Sequence, residues 1–447
     1  PLLFGKKIDI HEIYTKDADV MLLRHVHEDI ESNRPQPLWK AIQPVINSIV
    51  INKINLDGIK LMYKNADTSR SLQLQFDKCV ALFNDIKVDS AAAEDTSRII
   101  FTKSFDMRFN QLQFRTPDST YKLQAEAMSY SSDTKIFEVT DFRIQPTLTT
   151  KEDFYKLVQR QESMYDFGFE KAQFTNLKLD QFFHRNMLVA DTLFIIKPIL
   201  SVYKDATYPP LFESKIGAFP HQRLLSANGI VYLKGVVFKD ADIQYTERSE
   251  KSGLEGTIKF TNLDVRATNV TNDKNKIKLN RKCELTATGN IFKSSPLQIK
   301  IGFYLDSVNG RFDASGTINN VSAAQLNTVS VPLANTTLNS FDMQQLRFDV
   351  QGDDFGAVSN VQMRYNNLSV TLQKQDDETG AISTKKLLTK ILNKFTLHQS
   401  NPGENGIERQ ATGIKRSRIT SQAFFGLLWK SIFSGMQGVM MKSGRFE

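Results

Sequence analysis

The most constraining feature of this chain is a recurring phase slip. Two apolar residues alternate, a step of three follows, and alternation resumes, as in Ala172-Gln-Phe174-Thr-Asn-Leu177-Lys-Leu179. Further copies are Leu56 | Ile59, Leu61; Val139 | Phe142, Ile144; Phe238 | Ala241, Ile243; Phe260 | Leu263, Val265; and Tyr365 | Leu368, Val370. Weaker ones are Phe76 | Cys79, Phe109 | Leu112 and Met343 | Leu346. Strand side chains alternate between two faces, so an odd step keeps both halves on one face only if a residue bulges out or the strand turns a corner. Gly58, Asp141, Asn176, Asp240, Asn262 and Asn367 sit inside the slips, and all are residue types that tolerate the left-handed conformation a bulge can need. The repetition predicts a mainly β fold. Its core would be an elongated, bent, antiparallel repetitive sheet, groove-like or taco-like, with a few accessory helices.

Composition suits one long apolar surface, since 31 Phe stand against 2 Trp. A net charge of +8 over 447 residues is moderate and spread through the strands, the pattern of a solvated outer face, so no nucleic-acid partner is expected. Cys79 and Cys283 have no metal or redox spacing, and Cys79 occupies an inward repeat position, as a small apolar filler would. No run of eighteen apolar residues occurs. Because the chain opens on Pro1 and not on Met, its true start is expected to lie upstream, where a signal peptide or anchor would fall outside this sequence.

Four segments follow from the pattern: residues 1–46 as the N-terminal segment of a larger protein, 47–376 as the repetitive β-groove, 377–418 as a basic helix and polar linker, and 419–447 as a C-terminal amphipathic helix. Thr150-Lys-Glu-Asp153 reads as a capped helix start, with Phe154, Leu157, Val158, Met164 and Tyr165 as its stripe. Residues 323–332 read as a short helix. At about 100° per residue, Phe424, Phe425, Leu428, Trp429, Ile432, Phe433 and Met436 share one half-cylinder, opposite Lys430, Ser434 and Gln437. That half-cylinder is expected to contact a membrane surface or cap the groove, helped by Lys415, Arg416 and Arg418; packing on its own domain is the alternative.

Catalytic signatures are absent: there is no G-x-S-x-G, Walker A, G-x-G-x-x-G, H-E-x-x-H or C-x-x-C. His25 and His27 with Glu28 lack a third ligand for a metal. No enzyme, cofactor or metal is expected.

The repeated F-x-N-L-x-L strands resemble those of the AsmA-like envelope proteins. So do Tyr365-Asn-Asn-Leu368-Ser-Val370 within residues 356–372, Ile391-Leu392-Asn393, and Ser400-Asn-Pro402. Phe424-Phe-Gly-Leu-Leu-Trp429-Lys-Ser-Ile-Phe-Ser-Gly435 is similar to the end of the variants found in Bacteroidota. The resemblance covers the chain from about residue 38 onward. It implies kinship with bridge-like lipid transfer proteins, an inner-membrane anchor upstream of residue 1, a place on the periplasmic side of the inner membrane, and a role in phospholipid movement or outer-membrane homeostasis. The expected lipid-facing residues are Leu56, Ile59, Leu61, Phe142, Ile144, Phe174, Leu177, Leu179, Phe238, Ile243, Phe260, Leu263, Val265, Leu368 and Val370, with phospholipid or another acyl-chain lipid as partner. A structural scaffold with a closed core is the competing expectation, and the inward residues read the same in both.

Overall fold

The structure, a computed structural model, describes residues 6–24, 38–42, 45–65, 74–95, 97–99, 101–116, 118–375, 382–391, 393 and 396–442. The chain is mainly β, as the repeats require. It divides into two compact units, residues 1–149 with 167–196, and residues 150–166 with 197–447. The division differs from the four segments expected, because residues 7–24 belong to the first unit and residues 410–440 to the second.

In the first unit the elements run β1 (Lys7–Lys16), β2 (Asp19–Arg24), α1 (Leu38–Ile42), β3 (Ser48–Asn65), β4 (Leu74–Val88), α2 (Ser90–Glu94), β5 (Thr102–Arg115), β6 (Tyr121–Ser131) and β7 (Ile136–Pro146). Helix α3 (Lys151–Val158) belongs to the second unit, after which β8 (Ser163–Thr175), α4 (Leu179–Arg185) and β9 (Met187–Ile196) complete the first. Strands β3 to β9 pair antiparallel with their sequence neighbours. The sheet is mixed, however, because β1 and β2 both lie parallel along β3. They are one strand interrupted at Asp17, whose N–H donates to the Asp57 carbonyl at 2.9 Å, opposite the β3 slip. Gly58 is required there: its φ is +68°, and a Cβ would lie 2.4 Å from Asp17 Oδ1.

The slips behave as their chemistry dictates. Gly58, Asp141, Asn176, Asp240, Asn262 and Asn367 all take φ between +47° and +68°. Residues on either side of a slip pack together. Leu56, Ile59 and Leu61, then Phe76 and Cys79, Phe109 and Leu112, and Val139 and Phe142 share one cluster in the first unit. The weaker copies at Phe76 | Cys79 and Met343 | Leu346 have no left-handed residue and coincide instead with register shifts against the neighbouring strand.

The second unit continues with β10 (Ile199–Asp205), α5 (Pro220–Leu225), β11 (Ile230–Arg248), β12 (Glu255–Thr271), α6 (Lys274–Leu279), β13 (Lys282–Ile291), β14 (Ser295–Tyr304), β15 (Phe312–Ser322) and α7 (Ala323–Ala334). It ends with β16 (Thr336–Gly352), β17 (Gly356–Gln375), β18 (Ile382–Thr384), α8 (Lys386–Ile391), β19 (Gln410–Ser417) and α9 (Phe424–Met440). Strand β10 pairs parallel with β11; β11 to β17 form an antiparallel ladder, and β19 closes on β17. The inward faces of β11 to β17 and β19 form one continuous buried core, together with Phe219 and residues of α9.

Several expectations need correction. The clearest copy in sequence is not one continuous strand: β8 stops at Thr175, and Leu179 opens α4, which the left-handed Asn186 terminates. Thr150 does cap α3, accepting from the Asp153 N–H, but the helix ends where Gln159 turns left-handed, and Met164 and Tyr165 lie in β8. The basic run at residues 415–417 is strand rather than linker. Residues 419–423 precede α9 instead of belonging to it.

Candidate functional site

The slips of the first unit fall opposite one another. Cross-strand partners run Ile59 to Cys79, Cys79 to Phe109, Phe109 to Met128, Met128 to Val139, and Val139 to Ala172. On the other side of the step, Leu112 faces Ala125 and Phe142 faces Phe169. Strands β6 and β8 therefore slip too, at Ala125 | Met128 and Phe169 | Ala172, which single-strand reading missed. The result is a seam across six strands along which the sheet bends while its apolar face stays continuous.

That face is lined by aromatic rings in contact across strands. Centroids lie 4.9 Å apart for Phe76 and Phe109, 4.9 Å for Phe142 and Phe169, 6.2 Å for Phe137 and Phe174, 5.7 Å for Phe83 and Phe105, and 5.4 Å for Phe105 and Tyr130. The apolar cluster along the seam is made of strand residues and Ala18. Leu56, Leu61, Phe109, Met128, Val139 and Phe142 remain half-buried in it. Trp39 and Ile42 of α1 pack beside a separate cluster of Ile51, Ile86 and Val88. The opposite face is charged, with Lys171 Nζ 2.6 Å from Glu138 Oε2 and Glu126 held above the ordinary carboxylate range by its hydrogen bond to Asp141.

The expected lipid-facing residues thus part into two groups. Leu56, Ile59, Leu61 and Phe142 lie on the apolar face of the first unit; Ile144 and Phe174 are half-buried on flanking positions of β7 and β8. Leu177 is buried beyond the end of β8, and Leu179 is helical. Phe238, Ile243, Phe260, Leu263, Val265, Leu368 and Val370 instead belong to, or pack against, the closed core of the second unit.

The expected membrane-contacting half-cylinder also splits. Phe424, Leu428, Ile432 and Met436 are buried against the sheet, whereas Phe425 and Phe433 are exposed and Trp429 half-buried. Helix α9 faces β17 and β19 through small residues. Ser359 Oγ donates to the Ser431 carbonyl at 2.9 Å, Arg416 Nη1 donates to Ser434 Oγ at 3.0 Å, and Gly435 sits on Val361. Ser434, expected on the polar side, is buried.

Cys79 and Cys283 are buried free thiols, each pushed up to about 11 by burial. Among the described residues no group of three or more His, Cys, Asp or Glu is arranged to hold a metal, and no helix is long and apolar enough to cross a membrane. His25, His27 and Glu28 lie outside the described residues, as do Leu392 and the segment 443–447. Compared with known proteins, the chain matches no family model and no curated protein.

Proposed function

We propose that the chain is a non-catalytic lipid-binding or lipid-transfer protein of the cell envelope, of the AsmA-like kind and on the periplasmic side of the inner membrane, contributing to outer-membrane homeostasis. The observation that carries this reading is the apolar face of the first unit, where, among the described residues, the cluster is made of strand residues and Ala18, and Phe109, Met128, Val139 and Phe142 remain half-buried along a continuous seam. A soluble monomer rarely leaves more than a few hundred Å² of contiguous apolar surface uncovered, and acyl chains would cover such a face without any directional contact. An unpaired charge within it would cost several kcal/mol, so headgroups belong at its polar margins.

The second reading, a scaffold without cargo, is favoured by the closed core of the second unit. Quantifying phospholipid co-purified with the protein separates the two. The parent should carry lipid, and Phe109→Asp and Phe142→Asp should each lower the load at least severalfold while circular dichroism stays unchanged. Lipid-free parent protein, or a full load in both folded variants, refutes the lipid reading.

A further inference from the structure

The first unit has a second row of slips. Steps of three separate Ile10 from Ile13 on β1, Ile51 from Ile54 on β3, Phe83 from Ile86 on β4 and Thr102 from Phe105 on β5. They stand in register: Ile10 pairs with Ile51, Ile51 with Ile86 and Ile86 with Thr102, and across the step Ile13 pairs with Ile54, Ile54 with Phe83 and Phe83 with Phe105. Asp85, inside the β4 step, has φ +50°. The apolar face of the first seam therefore continues to this margin of the sheet.

Here the face is covered. Ile51, Ile86 and Val88 are buried, with Trp39 and Ile42 of α1 packed against them, and Phe105 and Tyr130 are only 2% and 5% exposed. Arg98 fastens the β4–β5 connection, its guanidinium donating to the Asp85 carbonyl at 2.5 Å and the Phe101 carbonyl at 3.3 Å. Leu177 N donates to the Lys135 carbonyl at 2.9 Å and so ties the entry to α4 to the β6–β7 turn. The cations of this margin are engaged, Arg98 with Asp85 and Asp95, Lys103 with Asp85, and Lys87 with Asp89. At the opposite margin Leu61, Leu74, Phe114, Leu123 and Ile144 remain half-buried. Among the described residues the helices of the unit all adjoin the covered margin: α1 precedes Ser48, α2 follows Val88 and α4 follows Thr175.

We infer, on the lipid reading above, that a lipid lies on this face in one direction, its acyl ends at Phe105 and Tyr130 under the covered margin and its headgroup outside the free margin, beside Phe114 and Leu123. Strands β3 to β7 are each paired on both sides, so a peptide strand laid on the face would find its edge hydrogen bonds already taken, whereas hydrocarbon needs none. A phosphate at the covered margin would have to shed its water among side chains whose cations are already paired; at the free margin it stays hydrated. The length also fits. From Met107 to Phe114 the strand spans about 23 Å at about 3.3 Å per residue, room for one leaflet's share, about 15 Å, of a bilayer's hydrocarbon.

Trp39, on the covered margin, reports the direction. In a Trp429→Phe background it is the single tryptophan. The protein is loaded with phosphatidylcholine carrying a nitroxide either at the end of an acyl chain or on the headgroup, and bound lipid is counted as phosphate. At equal load the chain-end label should quench Trp39 at least severalfold more than the headgroup label. Met107→Glu places a carboxylate at a half-buried position between the seam and Phe105, and should lower chain-end quenching per bound lipid at least severalfold with circular dichroism unchanged. Equal quenching by the two labels, stronger quenching by the headgroup label, or chain-end quenching untouched by Met107→Glu overturns the direction while the lipid reading stands. A parent that takes up neither lipid overturns both.

Discussion

Gly435 provides a test of how α9 is seated, because two effects of opposite sign meet there. Within a helix, glycine is about 1 kcal/mol less favourable than alanine, so Gly435→Ala should stabilise the protein on propensity alone. The seating says otherwise. A Cβ at Gly435 would lie 2.3 Å from Val361 Cγ2 and 2.9 Å from its Cβ, and Val361 is a buried β17 residue that has no room to retreat. Overpacking of this kind costs typically 1–3 kcal/mol, and here the helix must also lift off the Ser359–Ser431 contact. The steric effect wins, and a net loss of about 1–2 kcal/mol is expected. Gly426 is the internal control. Its Cβ would meet only Gln422, at 3.3 Å from a flexible side chain, so Gly426→Ala should gain about 0.5 kcal/mol. The assay is denaturant unfolding followed by Trp429 fluorescence in a Trp39→Phe background, which confines the signal to α9. If both substitutions stabilise equally, α9 does not rest on Val361 and its placement is wrong.

Two further outcomes test the slip and the buried end of the second unit. Asn262 has φ +52° and its Nδ2 donates to Asp240 Oδ1 at 3.0 Å; Asn262→Val should cost about 2–3 kcal/mol through the left-handed conformation and the lost bond, and Asn262→Gly less than about 1 kcal/mol, read by denaturant midpoint. His221 is buried with both ring nitrogens unpartnered and its ring 4.8 Å from that of Phe303, and burial lowers its pKa to about 4, against partial opposition from Asp354. The unfolded chain therefore binds the proton first, at its ordinary value near 6.5. Stability is fully present above that value and should fall by up to about 3 kcal/mol as pH drops from 6.5 to 4; His221→Phe should flatten this window relative to the parent, and parallel pH profiles would refute the assignment.

What the sequence makes legible is whatever is fixed locally. A step of three in a two-residue alternation has few solutions, and Gly, Asn or Asp at the step names the left-handed one, so Gly58, Asp141 and Asn262 could be placed without coordinates. What covers a strand face is decided by residues far away in sequence. Val139 and Phe260 both stand immediately before a slip, yet one packs on the strand-built cluster of the first unit and the other against the closed core of the second. Helix α9 shows the same limit. Its apolar half-cylinder was plain, but Ser431, Ser434 and Gly435 read as polar or weakly helical when they are the surface that lets it approach β17 closely. Strand β19 was hidden because only one of its faces is covered, which leaves Gln410–Ser417 polar and its alternation faint. Arg418 read as part of a basic patch because its partner, Asp354, lies 64 residues earlier.

The seam shows how a local signal becomes a global property. In the first unit the left-handed slip residues sit on alternate strands, Gly58 on β3, Gln111 on β5 and Asp141 on β7, and the strands between them have none at the seam. Strands β4 and β6 step in phase because each is hydrogen-bonded on both sides to strands that have already stepped, and β8 follows β7, with which it pairs across the seam, so their own residues need no special conformation. That is why Ala125 | Met128 and Phe169 | Ala172 escaped a reading based on Gly, Asn and Asp. The bend is specified by every second strand and inherited by its neighbours, and substituting a seam glycine or aspartate should disturb the packing of three strands rather than one.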